Sequence, residues 1–152
     1  MPLPRTLAAL LLACACVLPA ACASGGEWVE LAGTRYAVEI AATDRERAYG
    51  LMHREELAEG AGMLFIHDRE EPQAYWMKDT LIPLDILYFD RQRRLVSQQR
   101  NVPACADGFM CPPYPSGKPA LYVLELNAGE AERLQLEDGA ELRFGPGIPA
   151  AD

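Results

Sequence analysis

The stretch Leu121-Tyr122-Val123-Leu124-Glu125-Leu126 is the densest run of β-branched, aromatic and aliphatic residues in the chain, and it reads as a buried β-strand. Downstream of it, Asn127 can cap a helix beginning near Ala128, with Glu130 at its third position. That helix is brief, because Asp138-Gly139 ends the segment and residues 140–144 read as a last strand. Upstream, Leu84-Asp85-Ile86-Leu87-Tyr88-Phe89 and Leu95-Val96-Ser97-Gln98 flank a turn at 90–94 as a hairpin. Met63-Leu64-Phe65-Ile66 and Ala74-Tyr75-Trp76-Met77 are two further apolar runs fit for separate buried strands. At the front, Trp28-Val29-Glu30-Leu31 and Tyr36-Ala37-Val38-Glu39-Ile40 form an antiparallel hairpin signal. Thr43-Asp44-Arg45-Glu46 is a capping box that starts a helix running from Asp44 to about Met52. About eight short strands and two short helices without βαβ alternation predict a β-dominated, mostly antiparallel α+β fold. Its sheet is expected to be small and barrel-like, or a sandwich. One domain is expected over residues 28–145, with residues 146–152 as a disordered tail.

The first 22 residues have a different character. Arg5 precedes an apolar run over residues 7–18 that is broken only by small residues. About twelve residues suit the core of an export signal, whereas a helix needs about twenty to cross a bilayer. Leu18-Pro19-Ala20-Ala21-Cys22 looks like the lipobox of bacterial lipoproteins, although Pro19 stands where a larger aliphatic residue is usual. On that pattern Cys22 becomes the acylated first residue. The alternative is ordinary cleavage after Ala21-Cys22-Ala23, an A-x-A pattern. Residues 23–27 would then be a flexible tether. The expectation is an exported protein, periplasmic or held at a membrane only by a lipid on Cys22.

Loss of Arg5 with the signal lowers Lys plus Arg from 14 to 13 against 22 Asp plus Glu, so the net charge moves from −8 to −9. Such a surface repels polyanions, and the one basic cluster, Arg91, Arg93 and Arg94, falls at a hairpin tip. Nucleic acid is therefore excluded as a partner. Beyond the signal region only Cys105 and Cys111 remain, and in an oxidising compartment they are read first as a disulfide. Closing that seven-residue ring stabilises by about 2 kcal/mol in the chain-entropy model. A metal reading of the pair would need further ligands at zinc-like spacing, and a redox-active pair would normally be C-x-x-C.

Three segments together resemble the uncharacterised family DUF192, also called UPF0127. They are Arg47-Ala48-Tyr49-Gly50-Leu51-Met52-His53-Arg54 with Leu57 and Gly62-Met63-Leu64-Phe65; Tyr75-Trp76-Met77-Lys78-Asp79-Thr80-Leu81-Ile82-Pro83-Leu84-Asp85-Ile86; and Leu124-Glu125-Leu126-Asn127-Ala128-Gly129. The likeness spans roughly residues 29–144. It implies a small exported or lipid-linked domain and no particular activity. Asp79 departs from the asparagine often found in the family, so a role that needs a carboxylate there would not extend to other members.

The middle segment is the candidate site. Trp76, Lys78, Asp79, Thr80 and Asp85 put a cation, two carboxylates and a hydroxyl beside a large aromatic ring, which suits a small polar ligand. The same residue types also build structural corners, with Asp79 and Thr80 bonded to local backbone and Asp85 capping or pairing. By alternation Asp85 shares a strand face with Leu87 and Phe89; if that face is inward, the carboxylate needs a partner. Arg47 or Arg54 is expected to supply it.

The preferred reading is a non-catalytic envelope binding or accessory module that serves a small polar ligand or another envelope protein, with no cofactor and no metal. One alternative is a hydrolase using the Asp79 and Asp85 carboxylates. Another is soft-metal binding, such as copper(I), by Met52, Met63, Met77 and Met110 with His53 and His67. No serine stands in a nucleophile-elbow setting, and the methionines beside apolar residues read equally as core.

Overall fold

A computed structural model of the protein describes residues 26–106 and 110–149. The expected export signal with Cys22, most of the expected tether and the last residues of the expected tail lie outside the described residues. The elements are β1 (Trp28–Leu31), β2 (Thr34–Ala41), α1 (Asp44–Tyr49), β3 (Ala61–Trp76), β4 (Leu84–Phe89), β5 (Leu95–Val102), β6 (Pro113–Asn127), α2 (Glu130–Arg133) and β7 (Leu142–Phe144). They form a seven-stranded sheet in the order β5-β4-β6-β3-β2-β1-β7. All neighbours are antiparallel except β2 and β3, which run parallel from Ala37 opposite Ala61 to Ala41 opposite Phe65. With α1 between them, β2 and β3 make the one βαβ unit, which the sequence reading did not expect.

The sheet curls into a half-barrel, and its two edges meet at one end. There Leu95 N donates to Ala140 O (2.9 Å), Gly139 N to Leu95 O (2.7 Å) and Leu142 N to Arg93 O (2.9 Å). Toward the other end of β5, the Gln98 and Arg100 side chains donate to Leu136 O, so the segment after α2 fills the gap between the edges. The concave side encloses Val29, Leu31, Leu64, Leu87, Leu124 and Leu142, with Ala131 of α2 packed among them. The opposite face carries Met63, Phe65, Ile86, Tyr88 and Val123 and is covered by Leu51, Met77 and Ile82 from two connecting loops. Apolar on both faces apart from Asp85 and Glu125, β4 and residues 120–126 of β6 are buried throughout.

Several expectations change in detail. The two runs ending at Ile66 and beginning at Ala74 are a single long β3. It continues through His67-Asp68-Arg69-Glu70-Glu71-Pro72-Gln73 by shifting register between Ile66 and Glu71 and again between Pro72 and Ala74. The proline-rich stretch from Pro113 extends the strand read at 121–126 backwards as the first half of β6, and the described residues hold seven strands. Pro113, Pro115 and Pro119 fall at alternate positions of a segment that pairs only with β3, so the missing N–H groups cost no ladder bonds. Helix α1 stops at Tyr49, and Asn127 does not cap α2. Gly129 is its N-cap, without a side-chain bond, and the Asn127 amide donates to Leu57 O (2.9 Å) instead. Cys105 and Cys111 are joined as a disulfide with Cα atoms 5.9 Å apart.

Candidate functional site

The site forms where α1 and the loop after it lie over the sheet. Thr43 Oγ1 accepts from Glu46 N (3.3 Å), while Glu46 Oε2 accepts from Thr43 N (2.9 Å) and Ala42 N (3.0 Å), which completes the capping box. Those backbone donors hold the Glu46 carboxyl below its ordinary range. The helix ends at Gly50, whose φ of 48° and ψ of −131° favour glycine. A Cβ there would stand 3.3 Å from the Phe65 ring, a tight contact, so glycine suits the close approach of the loop to the sheet. His53 N then donates to Asp79 O (2.8 Å), and Arg54 grips the Glu39 carboxylate with both nitrogens. The loop is thereby tied to the 78–80 turn on one side and to β2 on the other.

Between these parts opens a cleft of about 990 Å³ bordered by Glu39, Arg54, Tyr49, Met52, Trp76 and Lys78. Tyr49 is 55% exposed and Trp76 52%, and both are large aromatic residues that the fold leaves on the surface at this cleft. Lys78 Nζ lies 5.3 Å from the Trp76 ring centroid. Tyr49, Met52, Trp76 and Lys78 also border a smaller inner cavity of about 30 Å³, together with Phe65, Tyr75, Thr80 and Glu125. Glu125 sits in β6 opposite Met63 of β3 and Ile86 of β4, and it is only 5% exposed. No hydrogen bond or ion pair from the described residues reaches its carboxyl, and burial pushes that group up to about 8. Nearby, Tyr75 OH and His67 Nε2 are 2.9 Å apart. Burial, reinforced by the Arg47 charge, lowers His67 to about 4.

Of the expected site residues, the structure brings together Trp76, Lys78 and Thr80. Thr80 is buried, with its hydroxyl 3.3 Å from Lys78 O, and its own carbonyl accepts from Cys105 N (3.0 Å). Asp79 has a φ of 53°, a left-handed turn position that aspartate and asparagine both tolerate. Asp85 does not join them. It is fully buried on the concave face, where one carboxylate oxygen accepts from Asn101 N (2.7 Å) and the other from Ala131 N (2.7 Å), so it caps α2 from a strand.

The expected pairing of Asp85 with Arg47 or Arg54 is thus replaced by backbone amides. Arg47 instead reaches Asp44, Asp68 and the carbonyls of Ala42 and Ile66, and Arg54 reaches Glu39. Both oxygens of Asp85 are thus taken by backbone amides. Met63 and Met77 are packed in the apolar cluster, while Met110 is 81% exposed on the disulfide loop. Among the described residues no group of three His, Cys, Asp or Glu side chains could hold a metal. Sequence reasoning passed over Tyr49 and Glu125. The signal for Glu125 was a carboxylate within a strand apolar in both phases, where neither face offers water.

Three comparisons bear on this arrangement. The model of the family DUF192, described as an uncharacterised ACR, matches residues 27–144. A protein of unknown function from Novosphingobium aromaticivorans is 33% identical, with a TM-score of 0.70 over 76% of this chain and 83% of its own. A protein from Sinorhizobium meliloti, provisionally assigned as a transcription regulator, is 33% identical, with a TM-score of 0.71 over 78% of this chain and 92% of its own. No curated protein matches.

Proposed function

The chain belongs to the DUF192 family, and from that premise we propose that it is a non-catalytic binding module whose cleft between Tyr49, Trp76 and Lys78 takes a small polar ligand. The observation that carries this reading is two half-exposed aromatic rings at a cleft that shares Tyr49, Met52, Trp76 and Lys78 with an inner cavity, which is bordered by a largely buried carboxyl without a hydrogen bond from the described residues. An apolar wall with a few convergent polar groups is the usual form of a small-molecule site. An ammonium over the Trp76 ring adds a donor at the mouth. Export is part of the same proposal: the apolar run at 7–18, the lipobox-like Cys22 and the Cys105–Cys111 disulfide support an envelope location. The net charge of −8 supports leaving nucleic acid outside the set of partners.

The test is ligand-observed NMR of a library of polar metabolites against the purified protein and against Trp76→Ala. Compounds whose signal is lost in Trp76→Ala, with thermal unfolding unchanged, support the cleft; hits wholly indifferent to Trp76 and to Lys78→Ala argue against it. For location, Cys22→Ser should move the protein from the membrane fraction to the soluble periplasmic one. An unprocessed chain found in the cytoplasm would remove the envelope from the proposal.

A further inference from the structure

Everything about the inner cavity is satisfied locally except its carboxyl. Tyr75 OH has His67, Tyr88 OH donates to Tyr114 O (2.5 Å), and Thr80 is bonded within its turn. Arg47 is held by acids and carbonyls, and the Lys78 ammonium lies over Trp76. Glu125, by contrast, is held among Met63, Ile86 and aromatic rings with no hydrogen bond or ion pair from the described residues, and it borders a cavity on the scale of one small polar group. We infer that Glu125 is a neutral hydrogen-bonding anchor for an uncharged, hydroxyl-rich ligand of the sugar or polyol class. One hydroxyl of the ligand enters the inner cavity while its carbon skeleton lies against Trp76. This rests on the reading of the cleft as a ligand site and adds the ligand's chemistry to it.

A carboxyl deep in an apolar setting without a cation keeps its proton, in keeping with the rise to about 8. A protonated carboxyl offers one donor and an acceptor, and a hydroxyl is the small group that answers both. The charged and titratable groups around it favour the same class. Tyr75 on β3 and Tyr88 on β4 are both pushed upward by burial, so they stay neutral. Arg47 from α1 and Lys78 from the 78–80 turn border the cavity, and Glu39, Arg45, Glu46 and Arg54 border the cleft outside, with Arg54 paired to Glu39 and Arg47 to Asp44 and Asp68. The cleft mouth thus carries both signs of charge and selects neither, and a cationic ligand would gain an ion pair at Glu125 only by ionising it in a largely buried setting, at a cost. The half-exposed faces of Tyr49 and Trp76 match the flat C–H face of a sugar ring, which carries no charge.

The experiment titrates the full-length protein at pH 7 with glucose, galactose, N-acetylglucosamine and glycerol, and with glucosamine as the cationic control. An infrared difference spectrum of wild type against Glu125→Gln is recorded in parallel. A protonated-carboxyl band that disappears in Glu125→Gln is expected. At least one neutral probe should bind in a Trp76-dependent way and keep its affinity within a few-fold in Glu125→Gln, which preserves a neutral donor and acceptor. It should lose about tenfold in Glu125→Met, the scale of one buried hydrogen bond. Glucosamine binding that is tighter than glucose and abolished in Glu125→Gln would overturn the inference while leaving the cleft reading intact. So would Trp76-dependent binding indifferent to both Glu125 variants, or a carboxylate band at pH 7. Absence of Trp76-dependent binding by every probe would overturn the inference, and the cleft reading falls with it only if the polar-metabolite library also yields no Trp76-dependent hit. If Glu125→Met does not fold, the infrared band and Glu125→Gln still decide.

Discussion

Asp85 sends one carboxylate oxygen to the amide of Asn101 and the other to that of Ala131, so its removal strands two donors at once. With each unsatisfied buried group costing about 1–3 kcal/mol, Asp85→Ala should lose about 3 kcal/mol. Asp85→Asn, which keeps one acceptor, should lose about half of that. Urea midpoints at unchanged slope measure both; a loss under about 1 kcal/mol for Asp85→Ala would mean that water replaces the carboxylate. The burial of Asp85 was legible from its alternation with Leu87 and Phe89. Its partners were not, because the two amides lie 16 and 46 residues further along the chain and only the curled sheet brings them in.

Glu125 makes a second test at this scale. Its folded-state value, about 8, lies above the ordinary 4.5, so between those values the folded protein binds the extra proton and stability falls as pH rises. His67 acts in the other direction: its folded value, about 4, lies below the ordinary 6.5, so stability rises with pH across that window and is level above it. Below pH 6.5 the two slopes oppose each other; from 6.5 to 8 only that of Glu125 remains. Wild type should lose up to about 1.4 kcal/mol per pH unit there, relative to Glu125→Gln. Parallel pH profiles for the two proteins would show that the carboxyl is ionised in the fold.

Among the elements, the disulfide braces the turn that carries Lys78 and Thr80. Cys105 N bonds Thr80 O, and Cys105 bridges to both Lys78 and Thr80. Reduction, or Cys105→Ser with Cys111→Ser, should cost about 2 kcal/mol and act mainly on this corner. Hydrogen exchange should accelerate at Thr80 and Cys105 more than in β4. Uniform acceleration would mean that the ring stabilises the whole sheet and not the corner.

Elements of local origin were the readable ones. The Thr43–Glu46 box, the β1–β2 and β4–β5 hairpins and the disulfide each rest on residues close in sequence. The long strands were not readable, because charges and Pro72 interrupt β3 where it bulges and prolines stud β6 where it has one neighbour. In both places the backbone's needs are met by tertiary partners. Ser116 Oγ accepts from Gln73 N (2.9 Å), Gln99 Nε2 donates to Pro115 O (3.0 Å), and Tyr88 OH donates to Tyr114 O. In the same way, Trp76, Lys78 and Thr80 were legible as a motif, whereas Tyr49 and Glu125 join them only through the packing of α1 and β6.

For the molecule as a whole, the decisive contact is the seam where β7 both covers the edge of β1 and meets the start of β5. A half-barrel has two exposed edges, and unpaired edges invite pairing with other chains. Here β7 and the turn before it cover both: Leu142 and Phe144 pair with Leu31 and Val29, while Leu142 N, Ala140 O and Gly139 N bond Arg93 and Leu95. Leu142 is also fully buried in the concave cluster. Ending the chain at Asp138 should therefore open the seam, and two edges with an apolar interior between them should drive self-association. Light scattering should report oligomers that grow with concentration. Leu142→Ala, which keeps the strand but removes packing, should cost about 2–5 kcal/mol and leave the association state of the wild type. Were the truncated chain to keep the wild-type association state and its full stability, the curl would be held by β1 to β6 alone, and β7 would be a passenger on the sheet.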